Sequence, residues 1–136
     1  MLNTVVDTNV LVSSFKSSGR TPYTIVELIK NKKVALYYSD PILYEYWDVL
    51  FRKKFNFDPI AVTQLIHSIV KFGVLVEDIE CKLKTSDETD QIFLNAAVEA
   101  ASAYGLVYLV TGNIKHFPKK AFIVTPVQFM KIYLEN

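Results

Sequence analysis

The chain has 136 residues, 51% of them apolar, and its 15 Lys and Arg nearly balance 14 Asp and Glu. This length and hydrophobic content predict one globular domain over residues 1–136 and exclude a disordered or low-complexity protein. The single cysteine, Cys81, excludes an internal disulfide framework and favours a reducing compartment, and the balanced charge gives no indication of nucleic acid.

Strands and helices are predicted to alternate along the chain. Short, continuous apolar runs predict strands at Leu2–Val6, Val34–Tyr38, Val74–Val76, Leu106–Thr111 and Phe122–Val124. Apolar spacing and capping signals predict helices after Asp7, over Thr21–Lys30, from Pro41 to about Arg52, over Pro59–Lys71, from about Asp90 to Tyr104, and from Pro126. Apolar strands separated by helices are typical of an α/β protein whose parallel sheet is covered on both faces. Ligands bind such sheets outside the carboxyl ends of the strands.

The sequence shows neither a membrane segment nor a secretion signal. The longest apolar runs, Val34–Tyr38 and Leu106–Val110, have five residues each, whereas a membrane helix needs about 20. The amino-terminal residues lack a basic region ahead of an apolar stretch. We therefore expect a cytoplasmic protein that does not contact a membrane.

Three carboxylates occupy positions that core packing does not explain. Asp7 directly follows the first predicted strand, where it either caps the next helix or lies in a ligand site. Glu45 lies on the flank of the apolar stripe of its helix, where it either pairs with Arg52 or faces the site. Asp90 is the most informative, because it shares the buried face of its helix with Phe93 and Leu94. A charge on that face costs several kcal/mol unless it is paired, hydrogen-bonded or bound to a cation.

Convergence of Asp7, Glu45 and Asp90 at one end of the sheet would require a cation. Two unit charges ~4 Å apart repel by about 4 kcal/mol at an effective dielectric constant of 20. A cluster of oxygen ligands suits a hard divalent ion such as Mg²⁺ or Mn²⁺. Thr111-Gly112-Asn113 at the end of the fourth strand adds a hydroxyl and an amide oxygen, although a Gly-Asn turn explains this sequence equally well.

These residues together resemble a known family. Asp7-Thr8-Asn9 after the first strand, Glu45 in the helix that follows Ser39-Asp40-Pro41, Asp90 ahead of Phe93-Leu94, and Val110-Thr111-Gly112-Asn113 resemble the PIN-domain ribonucleases, which include VapC-type toxins. The four elements occur in the family order over nearly the whole chain. The resemblance implies a three-layer α/β/α sandwich with a five-stranded parallel sheet and a nuclease site that uses Mg²⁺ or Mn²⁺.

The resemblance also implies site residues and a reaction. Asp7, Glu45 and Asp90 match three of the family's acids as metal ligands, and Asn113 matches a fourth catalytic position that is often Asp. Three residues further on, where the family often has another acid, this chain has His116. The expected activity is endoribonucleolytic cleavage of RNA by a metal-activated water, leaving a 5′-phosphate and a 3′-hydroxyl.

The resemblance further implies partners. A VapC-like toxin is inhibited by a cognate antitoxin protein, and family members often form homodimers. The alternative function is a catalytically weak or inactive PIN-fold module that binds RNA or a protein.

Basic residues near the expected site are candidate RNA contacts, namely Arg52, Lys53, Lys54, Lys115, Lys119 and Lys120. Without Asp7, Glu45 and Asp90, the rest of the chain has 15 basic residues and 11 acidic ones. This excess fits an acidic site in a protein that is otherwise slightly basic.

Other catalytic classes have less support. His67, Cys81 and His116 do not have the spacing of a zinc site. No serine lies in a nucleophile elbow, and the sequence contains no glycine-rich phosphate loop.

Overall fold

The computed structural model describes residues 1–136, which form five strands and six α-helices. The strands are β1 (Asn3–Val6), β2 (Ala35–Tyr38), β3 (Val74–Leu75), β4 (Val107–Val110) and β5 (Ile123–Val124). The helices are α1 (Thr8–Lys16), α2 (Thr21–Lys30), α3 (Asp40–Leu50), α4 (Pro59–Phe72), α5 (Gln91–Tyr104) and α6 (Pro126–Glu135). Two short 3₁₀ turns, Glu88–Asp90 and Ile114–His116, precede α5 and follow β4.

The five strands form one parallel sheet in the order β3-β2-β1-β4-β5, which confirms the predicted α/β fold. β1 is central and pairs along its whole length with β4, so that Val6 lies beside Val110. The helix α5 packs on β1, β2 and β4, whereas α1 and α6 both contact α2. Because parallel crossovers are right-handed, connections that run in opposite directions from β1 place their helices on opposite faces of the sheet.

The core consists of the central strands and the inward faces of the helices. Tyr46, Phe93 and Phe129 are its largest fully buried side chains, contributed by α3, α5 and α6. The strands are buried on both faces, which explains why they appear in the sequence as continuous apolar runs.

Capping residues set several helix boundaries, and most of these boundaries lie where the sequence predicts them. The Ser39 hydroxyl accepts a hydrogen bond from the Ile42 amide, so α3 begins at Asp40. Thr125 and Gln128 form a reciprocal capping box at the start of α6. The helix α3 ends two residues before the predicted Arg52, because Phe51 takes the C-cap position.

Glycine ends two helices for different reasons. Gly105 follows α5 with φ of 86°, a conformation that costs other residues energy. Gly73 follows α4 with an ordinary φ, but a Cβ there would lie 2.5 Å from the Ile69 carbonyl oxygen and 2.9 Å from the Tyr38 ring. Gly73 therefore permits the close approach of α4 to β2.

Candidate active site

The candidate site lies where the strand order reverses, between the carboxyl ends of β1 and β4. Successive strands extend the sheet from β1 toward β3 on one side and from β4 toward β5 on the other. In parallel sheets, helices on the two sides of such a reversal diverge, and the crevice between them is the usual place for a ligand. Asp7 follows β1 directly and Thr111 follows β4, so both side chains lie at the crevice.

Asp7 is buried and is held by side chains rather than by the helix it precedes. Its side chain makes no capping hydrogen bond to α1, so the capping alternative is not realised. Instead, Oδ2 of Asp7 accepts hydrogen bonds from the Thr111 hydroxyl at 2.8 Å and from the Asn9 side-chain amide at 3.3 Å. Only 3% of Asp7 is exposed. The carboxylate is therefore fixed in one orientation at the end of β1.

Asn9 links β1 to the loop after β4. Its Nδ2 donates to Asp7, and its Oδ1 accepts from the Gly112 amide at 3.1 Å. A Cβ at position 112 would lie 3.3 Å from this Oδ1, so glycine keeps the contact unstrained. Sequence reasoning recognised Asn9 only as part of the Asp7-Thr8-Asn9 motif, because its partner lies 103 residues away.

Glu45 faces the same region from α3. Its Oε2 accepts a 2.8 Å hydrogen bond from the hydroxyl of Thr8, the first residue of α1. The expected alternative, an ion pair between Glu45 and Arg52, is wrong, because Arg52 pairs with Asp48 at 3.1 Å. The next residue, Tyr46, is fully buried and donates its hydroxyl proton to the Val6 carbonyl oxygen. This bond anchors α3 to the end of β1.

Asp90 and His116 form the third part of the site. Asp90 closes the 3₁₀ turn before α5 and is buried, and its Oδ2 lies 2.8 Å from Nδ1 of His116. The backbone positions this contact, because the Ser86 amide donates to the His116 carbonyl oxygen at 2.8 Å. The histidine at the position where the family often has an acid therefore contacts one of the candidate ligands.

Asn113 lies at the edge of the site. Its backbone amide donates to the Thr111 hydroxyl at 3.0 Å, and the residue is exposed and opens the 3₁₀ turn that contains His116. The side chain makes no capping hydrogen bond in that turn. Its amide thus remains free to bind a ligand.

The three carboxylates influence one another electrostatically. The pKa of Asp7 is raised from 3.8 to about 6, chiefly by burial and also by the negative charges of Asp90 and Glu45, while the hydrogen bond from Thr111 opposes the rise. Burial also raises the pKa of Asp90, which the hydrogen bond from His116 partly offsets. Burial, followed by the charges of Asp7 and Glu45, places the pKa of the Tyr46 hydroxyl well above 10. The region has an excess of negative charge.

No basic side chain neutralises Asp7 or Glu45. The four ion pairs of the chain are Lys30–Glu27, Arg52–Asp48, Lys84–Glu80 and His116–Asp90. The most compact potential metal cluster consists of Asp87, Asp90 and His116, whose ligand atoms all lie within 4.8 Å of one another. Asp7 and Glu45 do not belong to this cluster, but the charges of Asp90 and Glu45 raise the pKa of Asp7, so the three carboxylates lie within electrostatic range of one another.

The candidate RNA contacts belong to two segments of the chain, one after α3 and one after β4. Arg52, Lys53 and Lys54 are exposed just after α3, although Arg52 is already paired with Asp48. Lys115 is exposed in the 3₁₀ turn beside His116.

The remaining two candidate contacts line a groove. Lys119 and Lys120, together with Lys131 of α6, line an open groove of about 560 Å³ beside β5. Residues without negative charge complete its lining. Sequence reasoning missed Lys131, because it comes near Lys119 and Lys120 only when α6 folds back along β5.

None of the six helices combines the length and hydrophobicity that crossing a bilayer requires.

No curated protein shows significant sequence similarity to the chain. Among solved structures, the crystal structure of PAE2754 from Pyrobaculum aerophilum is similar, with a TM-score of 0.53 and 13% identity over 99% of this chain and 91% of that chain. At this identity the similarity shows the fold alone.

The family profile described as the PIN domain matches residues 3–115 of the sequence. This range includes Asp7, Glu45, Asp90 and Asn113, and it ends one residue before His116. PIN domains are generally nucleases, typically use divalent metals and commonly bind RNA. Because the profile covers most of the sequence and the sheet has the expected parallel arrangement, the chain belongs to the PIN-domain family.

Proposed function

We propose that this protein is an endoribonuclease that requires Mg²⁺ or Mn²⁺. The environment of Asp7 supports this proposal most directly. Asp7 is 97% shielded from solvent, and the negative charges of Glu45 and Asp90 repel its carboxylate. It has no basic partner. Such an arrangement destabilises the metal-free protein, and a bound divalent cation would relieve the repulsion.

The donor atoms fit a hard cation. Asp7, Glu45 and Asp90 would hold the ion through carboxylate oxygens, the ligands that Mg²⁺ and Mn²⁺ prefer. When bound, the ion supplies an activated water and offsets the charge that develops on the phosphate. Attack on phosphorus with departure of the 3′-oxygen would leave a 5′-phosphate and a 3′-hydroxyl.

The surrounding residues keep the ligands in place. Thr111 and Asn9 orient Asp7, Thr8 orients Glu45, and His116 holds one oxygen of Asp90. Such outer contacts fix a ligand and commonly change metal affinity or activity 10–100-fold when they are lost. Asn113 would contribute its exposed side-chain amide to the scissile phosphate or to a water.

RNA is the proposed substrate because exposed cations follow α3 and β4, two elements that adjoin candidate site residues. Lys53 and Lys54 lie on the α3 side, and Lys115, Lys119 and Lys120 lie on the β4–β5 side. Arg52 would contribute from the first side if its pair with Asp48 opens. Lysine contacts with phosphates supply affinity that falls as salt concentration rises.

A non-catalytic PIN-fold module that binds RNA or protein is the second candidate function. Its supporting observation is that Asn113 and His116 replace acids at two positions, and His116 contacts Asp90. In that case the remaining carboxylates would bind a cation weakly and cleavage would be absent.

For the biological role, we propose the toxin of a toxin–antitoxin pair that acts in the cytoplasm. The resemblance to VapC-type toxins supports this role, and the free thiol of Cys81 fits a reducing compartment. A small antitoxin would cover the acidic crevice, and two copies of the chain would form a homodimer. Tyr44 and Trp47 on α3, which are 76% and 51% exposed, provide apolar surface for a protein partner.

An RNA cleavage assay tests the catalytic proposal. End-labelled single-stranded RNA is incubated with the protein plus Mn²⁺, with EDTA, or with the Asp7→Asn variant plus Mn²⁺. The proposal predicts fragments with 5′-phosphates only from the wild-type protein with Mn²⁺. Fragments formed equally in EDTA or by the Asp7→Asn variant would contradict it, whereas RNA binding without cleavage would favour the second candidate function.

The cellular role has its own test. Induced expression of the wild-type protein should arrest growth, and expression of the Asp7→Asn variant should not. Co-expression of a small protein encoded beside the gene should restore growth. Normal growth on expression of a protein that cleaves RNA in vitro would contradict the toxin role and leave the nuclease proposal intact.

A further inference from the structure

A three-ring aromatic stack lies at the far end of α1. The rings of Phe55 and Phe57 stack with centroids 5.1 Å apart and planes that differ by 4°. The residue between them, Asn56, has φ of 52°, a left-handed conformation that asparagine tolerates better than most residues. Phe15 of α1 also stacks on Phe57, with centroids 5.0 Å apart. These ring contacts therefore pack the loop after α3 against the last turn of α1.

Two lysines converge on the outermost ring of this stack. The ammonium groups of Lys16 and Lys54 lie 5.0 Å and 5.1 Å from the centroid of the Phe55 ring. Lys16 comes from the last turn of α1, and Lys54 comes from the loop after α3. Both lysines are exposed, and each is within the distance at which a ring attracts a cation.

The two positive charges lack an acidic partner. Neither Lys16 nor Lys54 belongs to an ion pair of the chain. The acids on the neighbouring segments are engaged elsewhere, because Asp48 pairs with Arg52 and Asp58 caps α4 through the Ile60 amide. Two ammonium groups over one neutral ring repel each other, and an anion between them would relieve that repulsion.

This surface is connected to the candidate active site by two helices. The first residue of α1, Thr8, contacts Glu45 of α3, and both helices run from there toward the aromatic stack. The eight residue steps from Thr8 to Lys16 span about 12 Å along a helix axis. This distance is short enough for one RNA strand to contact both the acidic site and the two lysines.

We propose that Lys16 and Lys54, supported on the Phe55 ring, form a phosphate-binding subsite for an RNA strand that extends from the acidic crevice past α1. This inference rests on the proposed function, because it takes single-stranded RNA as the ligand. The aromatic stack positions both cations before RNA binds, which lowers the entropy cost of ordering two long side chains. Base stacking is not part of the proposal, because the two ammonium groups occupy the space over Phe55.

A simpler explanation exists for Lys16 alone. A lysine in the last turn of a helix interacts favourably with the helix dipole and contributes to solubility. The chain offers a matched control for that explanation. Lys32 and Lys71 lie 4.0 Å and 5.4 Å from the Phe72 centroid, and Lys71 is in the last turn of α4. This second lysine pair adjoins the amino ends of β2 and β3, at the edge of the sheet opposite the crevice.

Fluorescence anisotropy with a labelled oligouridylate in EDTA tests the proposal without cleavage. We compare the wild-type protein with the Lys16→Gln/Lys54→Gln and Lys32→Gln/Lys71→Gln double variants, each checked for folding by circular dichroism. The first variant should bind about tenfold more weakly, and the slope of its log Kobs against log[salt] should be shallower by about 0.7, the contribution of one single-strand phosphate contact. The second variant has the same charge and should bind like the wild-type protein.

Each outcome decides a different question. Equal weakening of both variants would mean that net charge alone matters and would overturn the subsite. Wild-type affinity for the Lys16→Gln/Lys54→Gln variant would also overturn it while the RNA-binding proposal stands. Absence of RNA binding by the wild-type protein would overturn both the subsite and the proposed substrate.

Discussion

The hydroxyl of Thr111 donates a 2.8 Å hydrogen bond to Oδ2 of Asp7, across 104 residues of sequence. The full-length pairing of β1 with β4, which sets Val6 beside Val110, brings the two residues together. This hydrogen bond is the strongest influence that lowers the pKa of Asp7 against burial. It therefore helps to keep a buried carboxylate available in its anionic form.

The Thr111→Val variant removes this hydroxyl while keeping the side-chain volume. We expect the pKa of Asp7 to rise further above 6, and stability at pH 8 to fall by about 2 kcal/mol, as for loss of a hydrogen bond to a charged group. NMR titration of the Asp7 carboxyl carbon and urea denaturation measure the two effects. Thr111→Ser keeps the hydroxyl and should behave like the wild-type protein; a wild-type Asp7 pKa in the valine variant would show that the hydrogen bond is unimportant.

The raised pKa of Asp7 makes the metal-free protein sensitive to pH. Since the folded-state pKa is about 6 and the ordinary value is 3.8, the folded state retains the Asp7 proton to higher pH than the unfolded state does. The contribution of Asp7 to stability is therefore lost as pH rises from about 4 to above 6. Linkage sets this loss at about 3 kcal/mol by pH 8.

The Asp7→Asn variant should lack this loss. In EDTA it should become more stable relative to the wild-type protein as pH rises from 4 to 8, because asparagine does not ionise. Urea denaturation of both proteins across this range isolates the effect of Asp7 from that of the other titrating groups. An unchanged stability difference over the whole range would contradict the assignment of a strained, buried carboxylate.

His116 should hold Asp90 in position for metal binding. The His116→Ala variant removes the 2.8 Å contact between Nδ1 and Oδ2 of Asp90, and we expect Mn²⁺ affinity to fall by about tenfold. His116→Asn places an amide nitrogen near the position of Nδ1 and should restore most of that affinity. Calorimetric titration with Mn²⁺ measures both variants. Equal weakening by alanine and asparagine would contradict this positioning role of His116.

The sequence predicts the strands, the position of Asp7 after β1 and that of Asp90 before α5, for a physical reason. Parallel strands buried on both faces must be continuously apolar, so Asp7 stands out at the end of β1. Asp90 stands out in the same way, because it precedes a helix whose buried face includes Phe93 and Leu94. The sequence pattern alone is sufficient to identify these acids, because burial requires apolar neighbours and a charged residue contrasts with them.

The contacts between these elements could not be predicted. The Thr8–Glu45 and His116–Asp90 contacts depend on how helices and loops meet across 37 and 26 residues. Glu45 has Thr8 rather than Arg52 as its partner, because Asp48 lies four residues before Arg52 on the same helix face. The basic and aromatic surface at Phe55 also needs the left-handed turn at Asn56, which periodicity does not reveal.

We propose that Asp7, Glu45 and Asp90 act together as one divalent-cation site. Mn²⁺ titration followed by electron paramagnetic resonance, which detects the free ion, tests it most directly on the wild-type protein and on the Asp7→Asn, Glu45→Gln and Asp90→Asn variants. The folded wild-type protein should bind Mn²⁺, and each substitution should weaken that binding. Unchanged Mn²⁺ binding in all three folded variants, or none by the wild-type protein, would contradict it.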